Sequence, residues 1–289
     1  MACFPEFVSR KLGNARIWGD SKLLASIDAD LLANPDRLFA RADCTVIKDQ
    51  LKIKIGRVVL KIDGIPIGVY VKRYNAFSTR YRIASLILRS GAVKSLQGAG
   101  ILSRCGVATG KPLAAMETRS WGMLHGSFFL SEEIPRGKTA DAYWRENLKP
   151  MSGVEGPRQR RNFLKALARL FSQLHKNGIY HSDLKDANII VGADAVGEER
   201  FFLLDLDGVR RCPFLSRRRR IKNLVQLNRT LGRFVSRSDK LFFLNSYLTI
   251  QAAEKRTKRQ WVNEILYTTA MVNQKSLRKA LQPTGNSEN

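Results

Sequence analysis

No stretch limits this chain more than His181-Ser182-Asp183-Leu184-Lys185-Asp186-Ala187-Asn188-Ile189-Ile190-Val191. It sets two carboxylates, a lysine, an amide and a histidine between two apolar segments. An apolar-periodic helix precedes it, and the β-prone Ile189-Ile190-Val191 follows. About a dozen residues on, the apolar run Phe201-Phe202-Leu203-Leu204 ends on acid, Asp205-Leu206-Asp207-Gly208. These features together point to phosphoryl transfer. Moving a γ-phosphoryl group takes a carboxylate near the accepting hydroxyl, oxygen ligands for Mg²⁺ and a cation near the moving phosphate. Asp183 can accept or orient the hydroxyl proton. Lys185, two residues on, can reach the γ-phosphate. Asn188 can ligate Mg²⁺ through its amide oxygen, since Mg²⁺ prefers hard oxygen donors, and Asp205 can hold a second metal position.

The pattern H-x-D-x-x-x-x-N, then a strand, then Asp, is that of the protein-kinase catalytic loop and its D-F-G segment. Three positions alone would be weak; the helix before, the strand after and the second strand ending on acid strengthen it. A polar loop between a helix and a hairpin is the plain alternative. Zinc hydrolysis through His175 and His181 is disfavoured, because the two lack the i, i+4 spacing of a helical zinc pair.

The formal charge of +25, from 50 Lys and Arg against 25 acids, makes a polyanion the natural partner: nucleic acid, an anionic lipid surface or an acidic glycan; a merely solubilising basic surface is the poorer alternative at this magnitude. Cys3, Cys44, Cys105 and Cys212 form no C-x-x-C pair, which signals neither a zinc site nor a disulfide framework and fits a reducing cytosol. Met1 to Phe7 lacks the apolar core of a signal peptide. No apolar run approaches the roughly 20 residues of a membrane span, so membrane contact is expected to be peripheral.

Length suggests about two domains. Residues 1–42 read as a partly helical lead-in, 43–134 as a nucleotide-binding sheet and helix, and 135–289 as a helical part carrying the catalytic loop. Val58, Leu60 and Ile62, then Ile65, Ile67, Val69 and Val71, alternate at period two around Asp63-Gly64, predicting a tight hairpin. Lys72 closes Val69-Tyr70-Val71-Lys72, in the place of the nucleotide-binding lysine of V-A-I-K. No G-x-G-x-x-G precedes it. Lys48 to Gly56 is the candidate phosphate-covering segment, with Lys52, Lys54 and Arg57 as the covering charges. The helix predicted over Val93 to Arg104 lacks the glutamate that should pair with the strand lysine. Gln97 is the nearest polar substitute and Glu117 the nearest later acid.

Gly122 to Phe129 leads into Leu130-Ser131-Glu132-Glu133-Ile134-Pro135, an apolar strand ending on acid and then Pro: either an ordinary strand exit or a hinge whose backbone at Glu132, Glu133 and Ile134 would take the adenine hydrogen bonds. Gly156-Pro157 opens the clearest helix, since Pro suits a first turn. Phe163, Leu164, Leu167, Leu170, Phe171 and Leu174 form one apolar face, and Gly178 caps it. From Val209 to Ser238 there are no acids, and Arg217-Arg218-Arg219-Arg220 is a solid basic run. Its position just after Asp205 points to acidic-substrate recognition, because Arg pairs bidentately with carboxylate and phosphate. Leu241 to Met271 predicts packed C-terminal helices, and Gln282 to Asn289 a frayed polar tail.

The catalytic loop His181 to Asn188, Leu203-Leu204-Asp205-Leu206-Asp207, Asp63-Gly64 through Val71-Lys72-Arg73-Tyr74, Cys105 to Thr109, and Leu215 to Arg220 with Asn223-Leu224 and Leu227-Asn228-Arg229 carry a resemblance. Over about residues 44 to 248 the chain resembles the bacterial lipopolysaccharide kinase family, which includes inner-core heptose kinases and Kdo kinases. The resemblance implies an α+β, two-lobed protein-kinase-like fold using ATP and Mg²⁺. It implies phosphate transfer to an inner-core sugar, heptose or Kdo, of a lipid-linked glycan at the cytoplasmic face of the inner membrane. It carries over Asp183 as base, Asn188 and Asp205 as metal ligands and Lys72 as nucleotide ligand. The anionic core and membrane surface agree with the charge, and no nucleic acid partner is expected. Two other readings stay open: a kinase of a soluble small molecule or protein, and a basic, catalytically silent kinase-like binding protein. The intact Asp183, Asn188 and Asp205 argue against silence.

Overall fold

A computed structural model of the chain describes residues 4–194, 197–251 and 255–281; the polar tail expected over Gln282 to Asn289 lies outside them. The chain divides into two compact units, one made of residues 1–137 and 191–211, the other of 138–190 and 212–289.

The first unit is built on a seven-stranded sheet. Its strands are β1 (Phe7–Leu12), β2 (Ala15–Asp20), β3 (Thr45–Gln50), β4 (Ile53–Ile62), β5 (Ile65–Asn75), β7 (Pro112–Ser120) and β8 (Met123–Glu132), ordered β1-β2-β7-β8-β5-β4-β3. Every neighbouring pair is antiparallel. The hairpin predicted at Asp63-Gly64 is present: Ile62 faces Ile65, and both turn residues have positive φ, 51° and 79°. That is the twist a two-residue hairpin needs, and Asn, Asp and Gly tolerate it best.

The lead-in is not separate from the sheet. Residues 7–20 form its edge hairpin, and α1 (Ser21–Ser26), α2 (Ala29–Ala33) and the 3₁₀ turn Pro35–Ala40 follow. Leu23, Leu24, Leu32 and Leu38 are buried with Ile17, Val58, Val69, Val71 and Met116 in one core cluster. At about 1.5–3 kcal/mol for each fully buried Leu or Ile, this contact keeps the segment on the sheet. The run Phe7 to Leu12, with no apolar alternation, hides this role, because an edge strand has little to bury.

Two helices follow β5: α3 (Thr79–Ala84) and α4 (Gly91–Ser103), the latter beginning two residues earlier than Val93 because Ser90 caps it on the Val93 N–H. α4 packs on β7, β8 and the 3₁₀ turn Leu206–Gly208. A Cβ on Gly98 would collide with the Leu206 carbonyl, so only glycine permits this approach. The short β6 (Ala108–Thr109) pairs in parallel with the strand Glu199–Leu203, which leads into Asp205.

The second unit is helical. α5 (Ala140–Tyr143) runs into a π-turn, then come α6 (Glu155–Lys176), α7 (Arg217–Arg229), α8 (Arg237–Ile250) and α9 (Lys255–Leu281). α6 starts at Glu155, which puts Pro157 in its first turn. The predicted apolar face from Phe163 to Leu174 is buried throughout, and Gly178 takes φ 68° just past its end.

α6 also buries His175. Tyr247 lies 2.8 Å from its Nδ1 and Asn223 Oδ1 lies 3.4 Å from Nε2. Burial pushes this imidazole down to about 4, against the opposing pull of the Asn223 bond. Its folded pKa is therefore below the unfolded 6.5, and the unfolded chain takes the proton first. The resulting stability is present above pH 6.5 and is lost as pH falls toward 4. The expected loss between pH 7 and pH 5 is on the order of 2 kcal/mol. Denaturant unfolding at the two pH values checks this, and His175→Gln should show a smaller difference.

Candidate active site

In the first unit the chemistry gathers on Lys72, near the end of β5. Its side chain is 15% exposed, and its Nζ contacts the Asp205 carboxylate and lies 3.2 Å from Asp207 Oδ1. It also sits 4.8 Å from the Tyr74 ring centre. Burial alone would lower the Lys72 pKa, but Tyr74, Asp207 and Asp205 outweigh it and hold the ammonium well above its ordinary value.

The expected substitutes for the missing helix glutamate are not used. Glu117 is buried against Arg119 at 3.0 Å, and Gln97 makes no hydrogen bond among those found in the described residues. The carboxylates instead come from Asp205 and Asp207, far along the chain. The link to α4 runs through Tyr74, whose hydroxyl donates to Asp207 Oδ1 at 3.1 Å and lies 2.7 Å from Ser95 Oγ. Burial pushes the Tyr74 phenol up, so it stays a donor.

Asp205 does not end the strand directly. The strand stops at Leu203, and Asp205 takes the left-handed conformation, φ 59°, ψ 50°, before the turn Leu206–Gly208. A left-handed non-glycine residue is uncommon and gathers at functional sites; Asp tolerates it better than most.

The charges expected to cover phosphate have protein partners. Arg57 binds Glu133 through Nε and Nη2 at 2.6–3.0 Å. Lys54 pairs with Asp49 at 3.0 Å, and Lys52 lies over the Phe77 ring at 5.0 Å. Gly56 is needed for packing, since a Cβ there would press on Cys44 and Phe39. At the hinge, the Glu132 N–H donates to Lys111 O and the Glu133 N–H to Gly68 O, each at 2.8 Å. Those two amides are therefore committed to the sheet. Gly68 has no side chain because the Glu133 carboxylate occupies that space. The Ile134 carbonyl accepts from Gly137 at 3.1 Å.

In the second unit the catalytic loop folds on itself. Asn188 Nδ2 donates to the Asp183 carbonyl at 2.7 Å and to its Oδ2 at 3.1 Å. That orientation leaves the Asn188 amide oxygen for a cation. Lys185 Nζ lies 2.7 Å from Asp183 Oδ2. The loop's backbone is held by α7, whose polar face sequence reasoning left without a role. Asn223 donates to the His181 carbonyl at 2.6 Å. Gln226 donates to the Ser182 carbonyl at 2.7 Å and accepts the Leu184 N–H at 3.2 Å. Thr230 Oγ1 accepts the Asp186 N–H at 3.4 Å. The spacing of 223, 226 and 230 along one helical face was the signal available. Burial raises the Asp186 carboxyl against its bond to the Ala187 N–H.

The four arginines open α7 but do not behave alike. Arg217 pairs with Glu264 at 2.7 Å and covers Trp261. Arg220 turns inward to the Leu215 carbonyl at 3.2 Å and Gln251 Oε1 at 3.3 Å. Burial pushes the nearby Tyr247 phenol up to about 12, against the opposing charge of Arg220. Arg218 and Arg219 are exposed; Arg219 lies over Tyr180 with one nitrogen on Cys212 Sγ.

Asp205 and Asp207 in the first unit, and the Asn188 amide oxygen in the second, are each hard oxygen donors of the kind Mg²⁺ takes. A strand lysine facing two carboxylates, a left-handed Asp after a strand and an Asp-Lys-Asn loop define a protein-kinase-like α+β protein. The family model "Lipopolysaccharide kinase (Kdo/WaaP) family" matches residues 80–263, well over half the chain. The chain belongs to the lipopolysaccharide kinase (Kdo/WaaP) family. It is 28% identical over 164 residues to "Lipopolysaccharide core heptose(I) kinase WaaP" of Pseudomonas aeruginosa, covering 54% of this chain. The match spans 59% of the length of that curated relative. A solved structure, "WaaP in complex with acyl carrier protein", shares the fold with a TM-score of 0.58 at 21% identity, over 82% of this chain and 91% of that one.

Proposed function

We propose that this protein transfers the γ-phosphoryl group of ATP to a hydroxyl of an inner-core sugar of lipopolysaccharide. Heptose is the preferred acceptor over Kdo, because the curated relative is named a heptose(I) kinase. The observation that carries the reading is the pair of charge clusters: Lys72 with Asp205 and Asp207, and Asp183 with Lys185 and Asn188. A silent binding protein has no physical need to bury a lysine between two acids and hold a third by an amide.

In this reading Asp183 takes or orients the acceptor proton. Lys185 leaves Asp183 for the moving phosphate, and Lys72 holds the nucleotide phosphates. Asn188 and Asp205 hold Mg²⁺, which when bound neutralises charge on the phosphate oxygens. Of the three expected hinge residues, Ile134 offers its backbone N–H to the adenine, while the Glu132 and Glu133 amides stay in the sheet. The acceptor is reached at the cytoplasmic face of the inner membrane; among the described residues no helix is long and apolar enough to cross it. Mass spectrometry of lipopolysaccharide from cells with and without the protein tests the reading. Loss of one phosphate on an inner-core heptose supports it, and an unchanged core sinks it.

Arg218 and Arg219 are the substrate-binding members of the arginine run: Arg217 is paired with a carboxylate and Arg220 turns inward, whereas Arg219 stays exposed over Tyr180 and meets no acid among the described residues. Arg218→Gln with Arg219→Gln should raise the glycolipid KM several-fold and leave the ATP KM unchanged. The salt dependence should also flatten, since each Arg near an anionic surface contributes about 1 kcal/mol within a Debye length of about 8 Å. Steady-state kinetics at two salt concentrations checks this. Adding Arg220→Gln should instead lower the melting temperature.

A partner of the acyl carrier kind is a second reading. A cavity of about 480 Å³ in the helical unit is lined by Leu167, Leu224, Leu227, Phe243 and Ile265, with Arg237 and Lys240 among its polar members. Its size and apolar lining suit a chain-like ligand. Native mass spectrometry of the purified protein would show such an adduct, and Leu227→Trp should remove it.

A further inference from the structure

Soluble proteins rarely keep several large apolar side chains exposed side by side, and when they do the patch marks a partner or a membrane. The last turn of α3 and the residues after it leave Ile83, Leu86, Ile87 and Leu88 exposed, Ile87 at 91%. The β7–β8 turn adds Trp121 at 95%. The two segments touch: a Cβ on Gly122, beside Trp121, would lie 3.1 Å from Leu86 Cδ2. They are also braced to each other. Arg119 donates to the Ser85 carbonyl at 2.9 Å and to the Gly122 carbonyl at 2.8 Å. The Leu124 N–H donates to Ser85 Oγ at 2.9 Å, and Ser85 is buried. The apolar tips therefore stand on a fixed base and do not fold back into the core.

The surroundings choose the occupant. Arg80, Arg82 and Arg89 flank the apolar residues, and no acid occurs between Arg73 and Met116. Glu117, on the neighbouring β7, is buried against Arg119. An apolar tip with Trp and a basic collar matches an anionic bilayer, whose headgroups attract Arg and whose interface takes up Trp and aliphatic side chains. We propose that Ile83, Leu86, Ile87, Leu88 and Trp121 form a membrane-inserting patch that docks this unit on an anionic lipid surface.

The patch deepens the function proposed above, since a lipid-linked acceptor lies at such a surface. Its test uses vesicles without ATP or glycolipid, so docking and transfer can fail separately. Full-length protein is sedimented with phosphatidylglycerol–phosphatidylethanolamine vesicles and with neutral phosphatidylcholine vesicles. The parent protein should bind the anionic vesicles, and Ile87→Asp with Trp121→Asp should bind about tenfold or more weakly. Trp121→Phe, which stays apolar, should bind nearly as the parent does. It should also lose the fluorescence quenching that brominated acyl chains cause in the parent. Thermal melting confirms that the variants fold, as expected for side chains in solvent. Equal sedimentation of the double Asp variant would overturn the proposal. So would a parent protein that ignores anionic vesicles, or one that self-associates without lipid through this patch.

Discussion

Asp183→Ala should remove nearly all transfer, a fall of roughly 10²–10⁴-fold in kcat, while ATP affinity stays near that of the parent. The proposed role puts the Asp183 carboxylate on the acceptor hydroxyl and not on the nucleotide. The carboxylate is held in place, with Asn188 on Oδ2 from one side and Lys185 from another. α7 fixes the backbone on either side through Asn223 and Gln226. Asp183→Asn keeps the shape and the acceptor of the Asn188 bond but loses the charge, and it should be almost as inactive. Turnover measured beside nucleotide affinity decides the matter. Near-parent turnover in either variant would remove Asp183 from the chemistry.

The second large effect is expected at the lysine and its two acids. Lys72→Met should lower kcat/KM by on the order of 10²-fold or more, as losing one preorganised electrostatic partner of the phosphates does. It would also leave Asp205 and Asp207 without the cation between them. The two acids should then separate by role. Asp205 stands in a left-handed turn and Asp207 is tied to Tyr74. Asp205→Asn should therefore raise the Mg²⁺ concentration needed for half-maximal activity more than Asp207→Asn does. Asp207→Asn should act through Lys72, raising the ATP KM at saturating Mg²⁺, and Tyr74→Phe should share part of that effect. Mg²⁺ titrations of both Asp variants test the order. The reverse order would make Asp207 the metal ligand and Asp205 the anchor of Lys72.

The parts of the fold that were legible follow a local period. Alternation around Asp63-Gly64 predicted β4 and β5, and the spacing from Phe163 to Leu174 predicted the buried face of α6. The catalytic loop was legible because Asp183, Lys185 and Asn188 interact within six residues, so local chain geometry sets their distances. The first strand pair was hidden because an edge strand exposes most of its side chains, leaving no apolar alternation from Phe7 to Leu12.

Local chemistry also determined the class of residues available to phosphate and metal: a strand lysine, two acids after a strand, and an Asp-Lys-Asn loop. What that local chemistry left open was which group meets which. Lys72 had no visible partner in the helix that follows its strand, and its carboxylates come from more than 130 positions away. Arg57 looked available for phosphate until β4 brought it to Glu133, 76 residues on. Arg217 to Arg220 read as one block, yet the helical turn points Arg220 inward to Gln251 while Arg218 and Arg219 stay in solvent. Periodicity reports which face of an element is buried. Ion pairs between elements depend on how the sheet orders its strands and how helices seat on it, and only the folded chain decides that.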